Sequence, residues 1–339
     1  MTEKRRLTLG IISALGLLFI ILDVKTAMAA TKSGITLCLY TVIPSLFPFL
    51  VVTYIVNATL SGTSMKLFQP LTRLCKVPIG HEALFILGFL GGYPIGAKNI
   101  YDAYNSGSLS RREANRLLGF CNNAGPSFIF GFLSCLFEQK YISWLLWLIH
   151  IITACLVGIF LPKADLTKKA QIKSPSVSLT KAVKYAVTTM GIICGWIIAF
   201  RIMLFFLQRW LLFLFPETFQ IFIAGILELS NGCIALRSIP VTGTRFVLAS
   251  FFLGFGGLCV SMQTVSVTKD LGPGYYFTGK ILHSSMSVLL AGIIQFFIFE
   301  STQRCDLSIF SYVIPMCIVS GVLIHLARKK KTVAIACRV

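Results

Sequence analysis

Leu87-Gly88-Phe89-Leu90-Gly91-Gly92-Tyr93-Pro94-Ile95-Gly96-Ala97-Lys98 interrupts the apolar stretch Leu84–Ile100. A second run, Leu253-Gly254-Phe255-Gly256-Gly257-Leu258-Cys259-Val260-Ser261-Met262-Gln263, interrupts Phe251–Val267 in the same manner. Each reads as an apolar helix, then Leu-Gly-Phe, further glycines, and small or polar residues. Neither side of either interruption reaches the roughly 20 residues that a regular spanning helix needs. Glycine and proline there release backbone N–H and C=O groups, which hydrocarbon cannot satisfy. Each stretch is therefore predicted to be a re-entrant hairpin, buried in protein or lining a wet cavity.

The surroundings point the same way. Of 339 residues, 56% are hydrophobic and only 13% charged, and mean hydropathy is +0.82. A soluble domain carries about 25% charged residues, because its surface must be solvated. The runs Leu7–Leu22, Ile35–Val56, Leu117–Leu136, Trp144–Leu161, Tyr185–Leu207, Phe219–Leu236, Ile281–Phe299 and Phe310–Leu326 are long and apolar. Barrel strands would be short and alternating instead. The expected fold class is an all-α polytopic membrane protein of two related halves, each with a re-entrant helical hairpin and a broken transmembrane helix. The predicted organisation is an N-terminal anchor helix and amphipathic linker over 1–33, a first gate-type repeat over 34–162, and a basic cytoplasmic linker over 163–184. A second repeat over 185–328 and a basic tail over 329–339 complete it.

Net charge is +19, from 31 Lys and Arg against 12 Asp and Glu. The cations cluster between apolar runs: Lys4 to Arg6, Lys163 to Lys184, and Arg328 to Lys331. Such loops mark the cytoplasmic side, with anionic headgroups as secondary partners. Topology thus accounts for the charge, and no nucleic-acid partner is expected. Placing these loops inside favours both termini in the cytoplasm with Phe219–Leu236 as a full span. Inverted halves would need that segment to lie along the surface. The 11 cysteines are scattered singly, without Cys-x-x-Cys or Cys/His clusters, so neither a disulfide framework nor a metal site is expected. Lys4 to Arg6, the apolar run and Ala27-Met28-Ala29 resemble a signal peptide. The run is long for one, however, and Asp23 and Lys25 interrupt the approach to the alanines, so an anchoring first helix is expected.

Several polar groups lie where lipid would not tolerate them. Cys121-Asn122-Asn123-Ala124-Gly125-Pro126 predicts a break, since Pro126 removes a helix hydrogen bond. A half-helix starting there would aim free N–H groups at a solute, and Asn122 and Asn123 would add amide contacts. Gly92, Pro94, Gly96 and Lys98 of the first interruption, with Gly125, Gly256, Gly257 and Gln263, complete the expected substrate-binding set. Glu228, in Leu227-Glu228-Leu229-Ser230-Asn231-Gly232, is costly at membrane depth and reads as a coupling or structural acid. Arg201, midway along Tyr185–Leu207, is its expected partner. His150, His283 and His325 stand singly and read as interhelical hydrogen-bonders. No nucleophile elbow, P-loop or zinc-protease motif occurs, so no enzyme activity and no cofactor is expected.

At Pro44-Ser45-Leu46-Phe47-Pro48-Phe49, Gly91 to Lys98, Cys121 to Pro126, Leu227 to Gly232 and Gly254-Phe255-Gly256-Gly257-Leu258, the chain resembles the YlbJ (SpoVV) family of bacterial sporulation integral membrane proteins. That family is placed in the nucleoside-recognition or gate-domain superfamily, with the concentrative nucleoside transporters. It departs from the family pattern at Tyr93, Ala124 and Met262-Gln263. The resemblance implies a multi-pass transporter of the bacterial cell membrane, in the outer forespore membrane, acting in endospore formation on a small polar solute. The implied solute is an anionic aromatic such as dipicolinic acid. Homo-oligomer formation is compatible with it, and the coupling ion is left open. The alternatives are a non-transporting sporulation scaffold or assembly factor, and a nucleoside transporter.

Overall fold

A computed structural model describes residues 3–60, 65–162 and 178–305. The apolar run Phe310–Leu326, the basic tail and most of the 163–184 linker lie outside these residues. Among those described the chain is helical throughout, without strands, and five segments are long and apolar enough to cross a membrane. The polytopic all-α class read from composition is what the chain adopts.

Helices α1 (Glu3–Leu22) and α2 (Val24–Leu37) meet at Asp23, whose carboxylate caps α2 by accepting from Thr26 N at 3.0 Å. A π-helical turn at Cys38–Val42 joins α2 to α3 (Ile43–Leu60), giving one long bent span. Short α4 (Gln69–Leu74) leads to α5 (Glu82–Leu90) and α6 (Ile95–Asn105), which fold back on each other around Gly91–Pro94. Then α7 (Arg111–Leu117) opens with a Ser110/Glu113 capping box, which satisfies otherwise orphaned N–H groups. The chain is irregular over 121–125 before a second π-helical turn, Ser127–Phe132, and α8 (Lys140–Phe160).

Beyond the linker run α9 (Leu179–Trp210), α10 (Glu217–Leu227) and α11 (Leu229–Ala235). They are followed by α12 (Thr242–Phe255), α13 (Gly257–Thr268) and α14 (Tyr276–Ile298).

Contacts fix the directions. Tyr54 rests on Tyr185 at 4.9 Å while Asp23 lies 4.0 Å from Arg209, so α2–α3 runs antiparallel to α9. One end of the molecule, here the linker end, holds the Arg116 guanidinium, which donates to Pro162 O at 2.8 Å, and Lys76, which donates to Ile159 O at 2.7 Å. At the far end Arg245 donates to Leu136 O at 2.7 Å. The α5–α6 hairpin therefore enters from the linker end and the α10–α11 hairpin from the far end. Their tips meet at mid-depth.

Two expectations are corrected here. The Gly256–Gly257 interruption does not fold back: α12 and α13 do not pack side by side, and Thr242–Leu271 is a single bent crossing. Both glycines take left-handed φ, +81° and +82°, a conformation that costs only glycine little. That bends the helix without reversing it. The reversal lies at Glu228 instead, where α10 and α11 pack so closely that a Cβ on Gly232 would strike Gly225. Phe219–Leu236 is thus neither a full span nor a surface helix.

Helices in a bilayer gain little from burying apolar area against each other, so close backbone packing at small residues carries the association. Gly279 of α14 approaches Gly119 so tightly that a Cβ would overlap the Gly119 carbonyl. Gly279→Val should lower stability by about 1–3 kcal/mol or more. Gly191→Ala, facing open space, should leave it unchanged, as read from melting temperatures of the two purified variants in one detergent.

Candidate functional site

The two hairpin tips and the two broken spans enclose a cavity of about 500 Å³. Gly92 and Tyr93 contribute from the first tip, Gly125 and Ser127 from the first break, Glu228 to Ser230 from the second tip, and Gln263 from α13. The π-helical turn of the first long span supplies Tyr40 to Val42. Such turns widen a helix locally and often sit at functional sites. The cavity extends to Cys135 and Arg237 near the far end, while none of its lining comes from the bases of the first hairpin.

Among the described residues, Glu228 and Arg237 are the two lining residues that carry formal charge. Glu228, 2% exposed, lies at mid-depth in extended backbone, and its carboxylate accepts from Ser230 N at 3.0 Å and Asn231 N at 2.8 Å. These are the first amides of α11, so the carboxylate closes its own hairpin tip with charge-assisted bonds. Arg237, exposed at the far-end mouth, donates from Nη2 to Cys135 Sγ at 2.8 Å. That contact joins the second hairpin to the first broken span.

The other residues expected at the site are placed as follows. Gly92, at φ +79°, backs onto Gly125, and a Cβ on either would crowd the other's backbone. Pro94 caps α6, and Gly96 packs against the Cys121 carbonyl. Lys98 does not line the cavity; it pairs with Asp102 and lies 5.0 Å from the Tyr185 ring centroid. Asn122 and Asn123 are fully buried behind the wall. Asn122 accepts from Ala97 N at 3.2 Å and donates to Thr264 Oγ1 at 3.0 Å, tying the first hairpin to α13. Asn123 donates to Phe120 O at 2.7 Å. Gly256 sits under the Tyr93 ring and Gly257 beside Leu229 N. Arg201 bonds the Ser33 hydroxyl at 3.1 and 2.8 Å through Nε and Nη2, with no ion pair to Glu228.

Sequence reasoning missed the groups that hold the first tip. Lys280 of α14, 2% exposed, donates to Asn122 O at 2.6 Å and to Tyr93 OH at 3.1 Å, and stands 4.4 Å from the Tyr93 ring centroid. Tyr93 in turn donates to Leu253 O at 2.6 Å. Lys280 escapes notice because it borders the apolar run beginning at Ile281, where a cation reads as a snorkelling flank. Ala124 N donates to His150 Nε2 at 3.0 Å, and His283 Nε2 donates to His150 O at 3.0 Å, with the rings stacked at 4.5 Å. His283 is an interhelical hydrogen-bonder and His150 satisfies an amide freed by the break; His325 lies outside the described residues.

Asn122 thus holds two buried partners. Asn122→Ala should cost about 1–3 kcal/mol for each group left unpaired, and thermal melting should fall accordingly.

The chain is 25% identical over 295 residues to the sporulation integral membrane protein YlbJ of Bacillus subtilis (strain 168). The match covers 73% of this chain and 71% of that protein. No family model matches the chain, and no solved structure does.

Proposed function

We propose, from the chain's similarity to the sporulation protein YlbJ, that it is a multi-pass membrane carrier that moves a small polar solute through the central cavity during sporulation. One observation carries this: both hairpin tips, the first helix break and α13 of the second broken span line one cavity of about 500 Å³ with an acid inside and a cation at its mouth. Irregular backbone at membrane depth is tolerated where it lines a cavity. Discontinuous helices around a midplane pocket are the usual architecture of carriers built from inverted repeats. The element order supports such a repeat. A long span, a folded-back pair, a broken span and a straight helix occur from α2 to α8, and again with opposite direction from α9 to α14. Pockets for small molecules typically measure roughly 300–1,000 Å³, so the volume suits one solute.

The solute class we infer is a planar aromatic carboxylate such as dipicolinic acid. Tyr93, Phe128 and Phe132 offer ring faces, while Ser127, Ser230 and Gln263 offer hydrogen bonds. Arg237 offers a guanidinium, which matches a carboxylate fork. Glu228 would repel such an anion, which assigns it to coupling: a bound proton or cation there offsets the solute's charge. With the basic linker in the cytoplasm, the cavity of this conformation opens to the opposite side.

Uptake of labelled dipicolinate into vesicles holding the purified chain tests this directly. Saturable uptake is expected, undiminished by excess uridine or adenosine; competition by either would point to nucleoside transport. Arg237→Gln should raise half-saturation about tenfold or more, the worth of one charge-assisted hydrogen bond at roughly 1.5–3 kcal/mol. Glu228→Gln should abolish concentrative uptake yet leave exchange of solute across the membrane intact. Cells lacking the chain that form defective spores with normal dipicolinate content would favour the scaffold reading.

A further inference from the structure

A second hollow, about 550 Å³, opens between α2 and α9. Lys32 and Arg201 are its two charged walls, joined by the hydroxyl-bearing Ser33, Thr36, Tyr40 and Thr41. Arg201 directs Nε and Nη2 to the Ser33 hydroxyl, whereas its Nη1 is buried and has no partner. Among the described residues neither cation forms an ion pair. No hydrogen bond joins Arg201 to Glu228, whose carboxylate is engaged by Ser230 N and Asn231 N.

Depth makes this arrangement informative. The contact of Asp23 with Arg209 marks the far end of these helices. At about 1.5 Å per residue, Lys32 and Arg201 both lie on the order of 12 Å inside it. Cations at such depth are costly and persist where they face a cavity or an anionic partner. Two of them at one level, with hydroxyls on the same wall, fit an oxyanion rather than a neutral headgroup. Tyr40 and Thr41 line both this hollow and the central cavity, so the two spaces share a wall.

We propose that Lys32 and Arg201 form a second oxyanion site, distinct from the central cavity and open toward the bilayer, which takes a carboxylate or phosphate group. That chemistry has two sources: the headgroup of an anionic lipid, or the carried solute on its way past Tyr40 and Thr41. Only the second source rests on the carrier function proposed above.

The test uses the full-length chain purified in an uncharged detergent. Binding of phosphatidylglycerol against phosphatidylcholine is measured by native mass spectrometry, and binding of dipicolinate by calorimetry. At least one of the two anions should bind, and Lys32→Gln/Arg201→Gln should weaken it tenfold or more. Lys32 is exposed, so Lys32→Gln alone should fold normally and still weaken binding several-fold, which guards against a misfolded double variant. Loss confined to phosphatidylglycerol identifies a lipid site, and loss of dipicolinate identifies a station for the solute. Equal binding of both anions by wild type and Lys32→Gln would overturn the site. Should wild-type vesicles take up no dipicolinate while phosphatidylglycerol binding depends on Lys32, the carrier reading falls and this site stands. Normal uptake by the double variant with unchanged binding of both anions gives the reverse.

Discussion

Peptide groups that leave a helix inside a bilayer must find partners within the protein, because hydrocarbon offers none. Nearly every polar contact at the centre of this chain discharges that obligation. His150 receives the Ala124 amide, Asn122 receives the Ala97 amide, Lys280 donates to the Asn122 carbonyl, and Glu228 receives two amides of α11. Asn122, His150 and Lys280 reach across from elements distant in sequence, so satisfying those breaks also locks the helices to one another, whereas Glu228 closes its own hairpin tip. The cavity is what remains where the four irregular stretches meet.

This accounting separates two kinds of polar residue that look alike in a sequence. Asn122 and Asn123, adjacent and amide-bearing beside Pro126, present themselves as solute contacts, yet both face away from the cavity and hold the break closed. Lys98, the cation expected to meet an anion, is engaged by Asp102. The charges at the cavity are Glu228, which the sequence marks through its apolar neighbours, and Arg237, which it hides in a short polar connection between α11 and α12.

The membrane class and the existence of breaks were legible because composition and glycine placement act locally. Direction of the chain after a break was not. Gly256 and Gly257 advertise a reversal, but paired left-handed glycines here produce only a bend. The real reversal at Glu228 carries no glycine at its apex. Its glycines, Gly225 and Gly232, are set back along the two arms, where the arms must touch. What decides between bend and reversal is whether small residues allow the arms to close, a property of two faces in space. Lys280 escaped for a related reason: its burial depends on Tyr93, far away in sequence, reaching it.

Lys280 carries one last implication, for which parts of the molecule can shift. A buried ammonium whose donors reach a carbonyl and a phenol cannot be rotated toward lipid without a large solvation loss. Helix α14, with the first hairpin and the first break pinned to it, is therefore a stator. Among the described residues the second hairpin is held differently: Glu228 bonds within it, Arg237 bonds Cys135 of the broken span opposite, and its glycine-lined arms pack on Phe252. The first hairpin is thus fixed by a buried cation, and the second by close apolar packing.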